Sequence, residues 1–441
     1  MTNPTTTLHD ALPTDRWEHD LVDKKPLYDA AEAKAEADRC LYCADAPCIQ
    51  ACPTSIDIPT FIKKIASGNV RGSARTILEQ NLLGYSCARV CPVEVLCVGD
   101  CVLNHVDHKP IAIGRLQRYA TEHGTKGAPL FVAKARGKRK VALVGAGPAS
   151  LACAGVLALA GVEAVIFEKR VVPGGLNTTG IAPYKLHVED ALHEVDMVRS
   201  LGVEIRTGVE LGKDIAAEAL LAEYDAVFLG LGLGIDNRLG IPGEDGSGVL
   251  GATAWIETMK LDARVAAPKL GRVLVIGGGN TALDVARESA LLGADEVSLV
   301  YRRGEADMTG YAHELDGARM ETVRMLPHRT PLAFERDAAG ALLGLRVRVT
   351  EPGHQPREEV LPCELCAVAI GQEKLGALAR AFPGLTLDAK GRVDVSPSTR
   401  RSSHPKVYAG GDCINGGKEV VNAVADGRDA AYAMLKEFGD E

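Results

Sequence analysis

The stretch that most constrains this chain is Val141-Ala142-Leu143-Val144-Gly145-Ala146-Gly147-Pro148-Ala149-Ser150. A short apolar run reaches a glycine pair and continues into an Ala/Leu segment of high helix propensity, so the pattern predicts a strand, a tight turn and a helix. Gly145 permits the turn, and Gly147 permits close approach of a pyrophosphate, with Pro148, Ala149 and Ser150 opening the helix whose N-terminal N–H groups face the phosphates. Glu168 closes the next apolar run about 20 residues on, where a carboxylate can accept ribose hydroxyls. The third glycine of the usual fingerprint is Ser150 here.

A second copy of the pattern runs from Val273 to Ala282, with Gly277, Gly279, Asn280 and Thr281 in the turn. A later strand, Val407 to Ala409, ends in Gly410-Gly411-Asp412. Two dinucleotide turns and a returning Gly-Asp segment resemble the architecture of the flavin disulfide reductases, in which one nucleotide domain is inserted into another. Pro173-Gly174-Gly175-Leu176 reads as a tight loop at the flavin, and Asp412 as a carboxylate at the ribityl or pyrophosphate region.

With 441 residues, the chain is long enough for about three domains. A net charge of −8 argues against a nucleic-acid partner. The first residues lack a basic segment followed by an apolar core, and no run approaches a membrane span, so the expectation is a cytoplasmic protein without membrane contact. Twelve cysteines in such a compartment point to metal rather than disulfides, and eight of them lie between Cys40 and Cys101. Cys363 and Cys366 form a CxxC without a second ligand pair nearby, and read more simply as small buried residues.

The grouped cysteines are Cys40, Cys43, Cys48 and Cys52, then Cys87, Cys91, Cys97 and Cys101, with Pro53 and Pro92 each following a cysteine. Zinc and iron–sulfur clusters are the two uses for such thiols. Cys-Pro endings resemble ferredoxin runs, in which the last cysteine serves the other cluster, and a flavin module next door gives electron carriers a purpose. Chemistry alone divides the eight thiols four and four between two 4Fe–4S clusters.

The predicted fold class is therefore α/β: an N-terminal α-helical domain with two 4Fe–4S clusters, followed by two nested Rossmann-like dinucleotide-binding domains. The expected boundaries are 1–125 for the helical iron–sulfur domain, 140–250 together with 367–441 for the FAD domain, and 251–366 for the NAD(P) domain. Residues 1–25 read as a loose arm, a helix is expected from Tyr28 into Cys40, and amphipathic helices over Ile58–Ile65 and Asn69–Leu83. Thr121–Lys140 reads as a linker. Ala367 to Gln372, including Gly371, is expected to begin the return to the FAD domain, and Glu419–Lys436 to form the last helix.

Along nearly all its length the sequence resembles the electron-entry half of dihydropyrimidine dehydrogenase, which in bacteria is a separate subunit. The residues that carry the likeness are Cys40 to Cys52 with Asp45-Ala46-Pro47, Val90-Cys91-Pro92 continuing through Leu96-Cys97-Val98-Gly99 to Cys101, Ile113-Gly114 with Leu116-Gln117, and Gly145 to Ser150. The small subunit of glutamate synthase has the same layout and is similar around Tyr301-Arg302-Arg303, but its second cysteine group is spaced differently. The resemblance implies one cluster on Cys40, Cys43, Cys48 and Cys101, and another on Cys52, Cys91, Cys97 and the amide oxygen of Gln117, leaving Cys87 spare.

It further implies an NAD(P)-dependent dihydropyrimidine dehydrogenase subunit that passes electrons from NADPH or NADH through FAD and two 4Fe–4S clusters, with no catalytic acid or base. An FMN-containing, pyrimidine-reducing partner is expected in a hetero-oligomer, since no segment for that chemistry follows in this sequence. The alternative is the small subunit of glutamate synthase or of another NADPH-dependent complex. Arg302 and Arg303 stand where an NAD site places a carboxylate, which favours the 2′-phosphate of NADPH.

Overall fold

The computed structural model describes residues 12–106, 108–264 and 270–439. The described residues divide into two compact units, one of residues 24–106, 108–177, 189–233 and 374–439, the other of residues 12–23, 178–188, 234–264 and 270–373.

The first unit begins with helices. α1 (Ala30–Asp38) starts at Asp29, whose carboxylate accepts the Glu32 N–H while Glu32 returns the bond, a capping box. α2 (Pro47–Gln50) is a single turn, and α3 (Ile58–Ala66) is capped by Asp57 with Pro59 in its first turn. α4 (Val70–Gln80), α5 (Gly84–Val90) and α6 (Ile113–Gly124) complete the bundle. Its core joins Phe61, Ile62 and Ile77 to Leu116 and Ala120. The expected linker starts later than its composition suggests. Thr121 is fully buried, and a Cβ on Gly124 would meet the Val70 carbonyl at 2.6 Å, so packing carries the helix on to Gly124.

The same unit then forms β1 (Lys140–Val144), α7 (Pro148–Leu159), β2 (Glu163–Glu168), the first half of α8 (Leu176–Thr179), α9 (Val188–Ser200) apart from its first residue, β3 (Glu204–Thr207), α10 (Ala217–Glu223) and β4 (Ala226–Leu229).

In the second unit β5 (Val249–Gly251), α11 (Ala252–Leu261), β6 (Arg272–Ile276), α12 (Asn280–Leu291), β7 (Glu296–Val300), α13 (Ala312–Met320) and β8 (Arg324–Leu326) lead to three longer strands, β9 (Arg329–Arg336), β10 (Leu342–Val349) and β11 (Arg357–Pro362). β12 (Leu365–Val368) enters a parallel sheet ordered β5-β12-β6-β7-β8, with Ala367 opposite Val275. One face of that sheet is covered by the antiparallel β9–β11 sheet through Leu345, Val347 and Val349, the other by α11 and α12. The segment expected to begin the return is therefore a central strand of this unit, because only Leu365 to Val368 fills the gap between β5 and β6. The return starts after Glu373 instead. Gly371 stays with the second unit, where its carbonyl accepts the Asn237 N–H at 2.8 Å.

The chain finishes in the first unit with α14 (Gly376–Ala379), β13 (Val407–Ala409), α15 (Asp412–Asn415) and α16 (Val420–Phe438). Its parallel sheet has the order β13-β4-β1-β2-β3, so the two glycine-bearing strand ends, β1 and β13, flank β4. Of the expected loose arm, residues 1–11 lie outside the described residues. Trp17–Asp20 instead forms a 3₁₀ turn of the second unit, with Glu18 buried against Arg16 and accepting the Val188 N–H. Among the described residues no helix is long and apolar enough to cross a membrane.

Candidate cofactor and cluster sites

The first glycine turn is built by close backbone packing. Gly145 has φ +92°, and a Cβ there would lie 2.4 Å from the Gly230 carbonyl oxygen. Gly147 caps α7, and across it Gly175, with φ +58°, leaves room for no side chain, since its Cβ would sit 2.7 Å from the Gly147 Cα. The Gly174 N–H bonds the Ala146 carbonyl at 3.0 Å, which ties this loop and Leu176 beside the turn. Ser150 is fully buried beneath Gly230, whose Cβ would fall 2.1 Å from the Ser150 Oγ, so both positions demand small residues.

Glu168 is buried at the end of β2, and its carboxylate accepts the Ala146 N–H at 2.7 Å and the Arg170 N–H at 2.8 Å. Gly411 caps α15 at φ +75°, and its N–H donates to the Asp426 carboxylate at 3.0 Å. Asp412 accepts the Lys418 N–H at 3.1 Å, and burial raises its pKa. A Cβ on Gly427 would lie 1.9 Å from the Ala149 carbonyl oxygen. Asp426 and Gly427 thus join the turn after β1 to the turn after β13, and the site fits a dinucleotide: two cradles without side chains, two helix N-termini and a carboxylate at the second strand end.

The second turn repeats the device. Gly277 has φ +153°, and its Cβ would meet the Ala369 oxygen at 2.4 Å. Gly279 caps α12, which begins at Asn280 and Thr281. The Asn280 side chain accepts the Tyr311 N–H at 2.9 Å. The two arginines differ: Arg302 is exposed and has no hydrogen-bond partner among the described residues, whereas Arg303 donates to the Tyr301 hydroxyl.

Cys40, Cys43, Cys48 and Cys101 line one solvent-open cavity of about 390 Å³, together with Pro47 and Ile58. Burial and the neighbouring Cys40, Cys101 and Cys43 push the Cys48 thiol up to about 12. A second group forms around Cys97, raised by burial and then by Cys91 and Cys52. Cys91 is hydrogen-bonded to Cys87, which raises it further. Among the described residues no three cysteine sulfurs converge within 4.8 Å. Four thiols lining one cavity are the donor set that a 4Fe–4S cluster takes. Gln117 is buried, with its Nε2 donating to the Gly84 carbonyl at 2.8 Å, and its Oε1 has no hydrogen-bond partner among the described residues. Cys363 and Cys366 are fully buried, and burial raises both thiols.

Motif reading missed Glu194 because it belongs to no local pattern. It projects from α9 and is buried against the start of α5, accepting the Tyr85 N–H at 2.9 Å, the Ser86 N–H at 3.0 Å and the Ser86 hydroxyl. A carboxylate at a helix N-terminus seats that helix. Burial nevertheless pushes Glu194 up to about 7. The folded value lies above the unfolded one of about 4.3, so this contribution to stability is complete below that pH and is lost as pH rises through about 7, on the order of 3–4 kcal/mol in all. Glu194→Gln, which mimics the protonated acid, is expected to match the parent near pH 5 and to exceed its denaturation midpoint near pH 8. An equal decline of both proteins over that range would place the titration elsewhere.

Residues 18–128 match the family described as dihydropyrimidine dehydrogenase domain II, 4Fe-4S cluster, and residues 139–427 match the pyridine nucleotide-disulphide oxidoreductase family. The chain is 35% identical over 436 residues to the glutamate synthase (NADPH) small chain of Escherichia coli K12, covering 92% of each. It is 34% identical over 412 residues to the NAD-dependent dihydropyrimidine dehydrogenase subunit PreT of the same organism, covering 93% of this chain and 95% of PreT. Among solved structures it is similar to T. acidophilum thioredoxin reductase, with a TM-score of 0.57, 22% identity, and coverage of 68% of this chain and 99% of that one, a likeness of fold.

Proposed function

Because the chain belongs to the pyridine nucleotide-disulphide oxidoreductase family and carries a dihydropyrimidine dehydrogenase-type 4Fe–4S domain, we propose that it is the electron-entry subunit of a bacterial dihydropyrimidine dehydrogenase. At the coarser level it is an electron-transfer oxidoreductase with sites for FAD, NAD(P) and 4Fe–4S clusters. In the finer reading it takes electrons from NAD(P)H in the cytoplasm and delivers them to an FMN-containing partner that reduces uracil or thymine across the 5,6 double bond.

The observation that carries this reading is Gln117. Its amide is oriented by Gly84, and its oxygen is left without a hydrogen bond among the described residues, on α6, which packs against α5 just before Cys91. The proposed ligand sets are Cys52, Cys91, Cys97 and Gln117, with Cys87 spare, and Cys40, Cys43, Cys48 and Cys101; Cys87, hydrogen-bonded to Cys91, is the donor of the all-thiol alternative.

A bound FAD would supply the conversion of two-electron hydride chemistry into single electrons, and bound 4Fe–4S clusters would supply one-electron carriage. The chain's part is placement. Gly145, Gly147, Gly175 and Gly411 would admit the flavin dinucleotide, Glu168 would accept its ribose hydroxyls, and Gly277, Gly279, Asn280 and Thr281 would admit the nicotinamide coenzyme. Hydride transfer depends on stacking, so no side chain is assigned as acid or base. Arg302, exposed and unengaged, suits the 2′-phosphate of NADPH through charge-assisted bonds.

The second reading, small subunit of a glutamate synthase, is favoured by the 35% identity to that chain. Purified protein is expected to reduce artificial acceptors with NAD(P)H and to leave uracil untouched. Uracil reduction by the chain alone would overturn the division of labour. Co-purification separates the two readings, since one requires a pyrimidine-reducing partner and the other a glutamate synthase large chain.

A further inference from the structure

Tyr301 follows β7 and is buried with its ring against the second glycine turn, so that a Cβ on Gly278 would lie 2.6 Å from its Cε2. Its hydroxyl donates to the Asp307 carbonyl at 2.8 Å and accepts from Arg303 Nε at 3.0 Å and from Arg303 Nη2. The loop that carries Asp307 is fastened to the same turn. Both Thr309 N–H and Gly310 N–H bond the Gly278 carbonyl at 2.9 Å, and Tyr311 N–H bonds the Asn280 side chain at 2.9 Å. Asp307 also accepts the Gly304 N–H at 3.1 Å, which closes the loop on itself.

A guanidinium binds a phosphate best through two parallel N–H groups on one edge. In Arg303 the Nε and Nη2 edge is directed at Tyr301, and Nη2 reaches the Asp307 carbonyl at 3.4 Å as well. Arg302, its neighbour, has none of these commitments.

We infer that Arg303 is a positioning residue, which holds the Tyr301 hydroxyl and through it the 304–311 loop against the nucleotide turn, while Arg302 is the residue that discriminates the 2′-phosphate. The inference rests on the reading of this turn as the NAD(P) site and divides a role that adjacent arginines would otherwise share. Arg303 therefore acts on any adenine nucleotide that enters, phosphorylated at the 2′ position or not. Tyr301 is the link through which it acts.

The test is calorimetric titration of the FAD-loaded chain with 2′,5′-ADP and with 5′-AMP, which differ only in the 2′-phosphate. Arg302→Ala is expected to weaken 2′,5′-ADP about tenfold or more and to leave 5′-AMP unchanged. Arg303→Ala is expected to weaken both probes by one common factor. Tyr301→Phe, a minimal change that keeps the ring on Gly278, should reproduce that factor, and the double variant should be no worse than either single one. Arg303→Lys, which can still donate to the hydroxyl, should recover part of the loss. Selective loss of 2′,5′-ADP in Arg303→Ala, or normal binding of both probes by Tyr301→Phe, overturns the inference. Equal affinity of the unmodified chain for the two probes would remove the NADPH preference alone, leaving the common factor of Arg303 and Tyr301 to be judged separately. Binding of neither probe would remove the nucleotide site and the inference with it.

Discussion

Gly427→Ala is expected to give a chain that binds FAD weakly or not at all. Helix propensity points the other way: Gly427 lies inside α16, where Ala is favoured by about 1 kcal/mol. The surroundings decide against it. The added methyl would lie 1.9 Å from the Ala149 oxygen, 2.8 Å from its carbonyl carbon and 3.1 Å from its Cα, all backbone atoms at the start of α7, just after the glycine turn. No rotamer relieves a clash with backbone, so α16 must move, and with it Asp426, which bonds the Gly411 N–H and pairs with Arg400. Overpacking of a well-filled core costs about 1–3 kcal/mol, and a contact this short belongs at or above the upper end. Two measurements check it: the visible flavin band of the purified protein and its thermal midpoint with added FAD. Gly340→Ala is the control, since Gly340 has φ +85° but open space around it, and strain alone should cost about 1 kcal/mol. A Gly427→Ala protein as yellow and as stable as the parent would contradict the packing described for this site.

Gln117→Leu is expected to lower the iron content from about eight per chain toward about four while the flavin band remains. The substitution keeps the buried volume and the helix, so that what is lost is the amide. Cys87→Ser is expected to leave the iron content and the cluster EPR unchanged, because Cys87 is spare in the proposed ligand set. The all-thiol alternative makes the opposite prediction for both variants: Cys87→Ser loses a cluster and Gln117→Leu keeps it. The pair therefore discriminates between ligand sets even where one variant folds poorly. A neutral amide in place of a thiolate also removes one negative charge from the cluster, which bears directly on its potential.

Sequence alone determined the features that are encoded within a few residues. The turns at Gly145 and Gly277 were legible because a sharp bend and a close backbone approach both require glycine between a strand and a helix. The two cysteine groups, the helix over Ile58–Ile65 and the strand Val407–Ala409 were legible for the same reason, since spacing and period act locally. The pairing of Cys101 with Cys40, Cys43 and Cys48 entered through family likeness, because spacing permits several partitions of eight thiols. Only the tertiary structure decided the rest. β12 joined the second sheet because the gap between β5 and β6 had to be filled by a strand distant in sequence. Glu194 became the partner of α5, and Gly427 the neighbour of Ala149, through contacts between segments far apart along the chain. Arg302 and Arg303 are alike in sequence, and only the position of the Tyr301 hydroxyl separates them. The physical reason is common to all of these: a buried polar group or a close backbone contact is defined by its partner, and the partner is set by packing at long range rather than by the neighbouring residues.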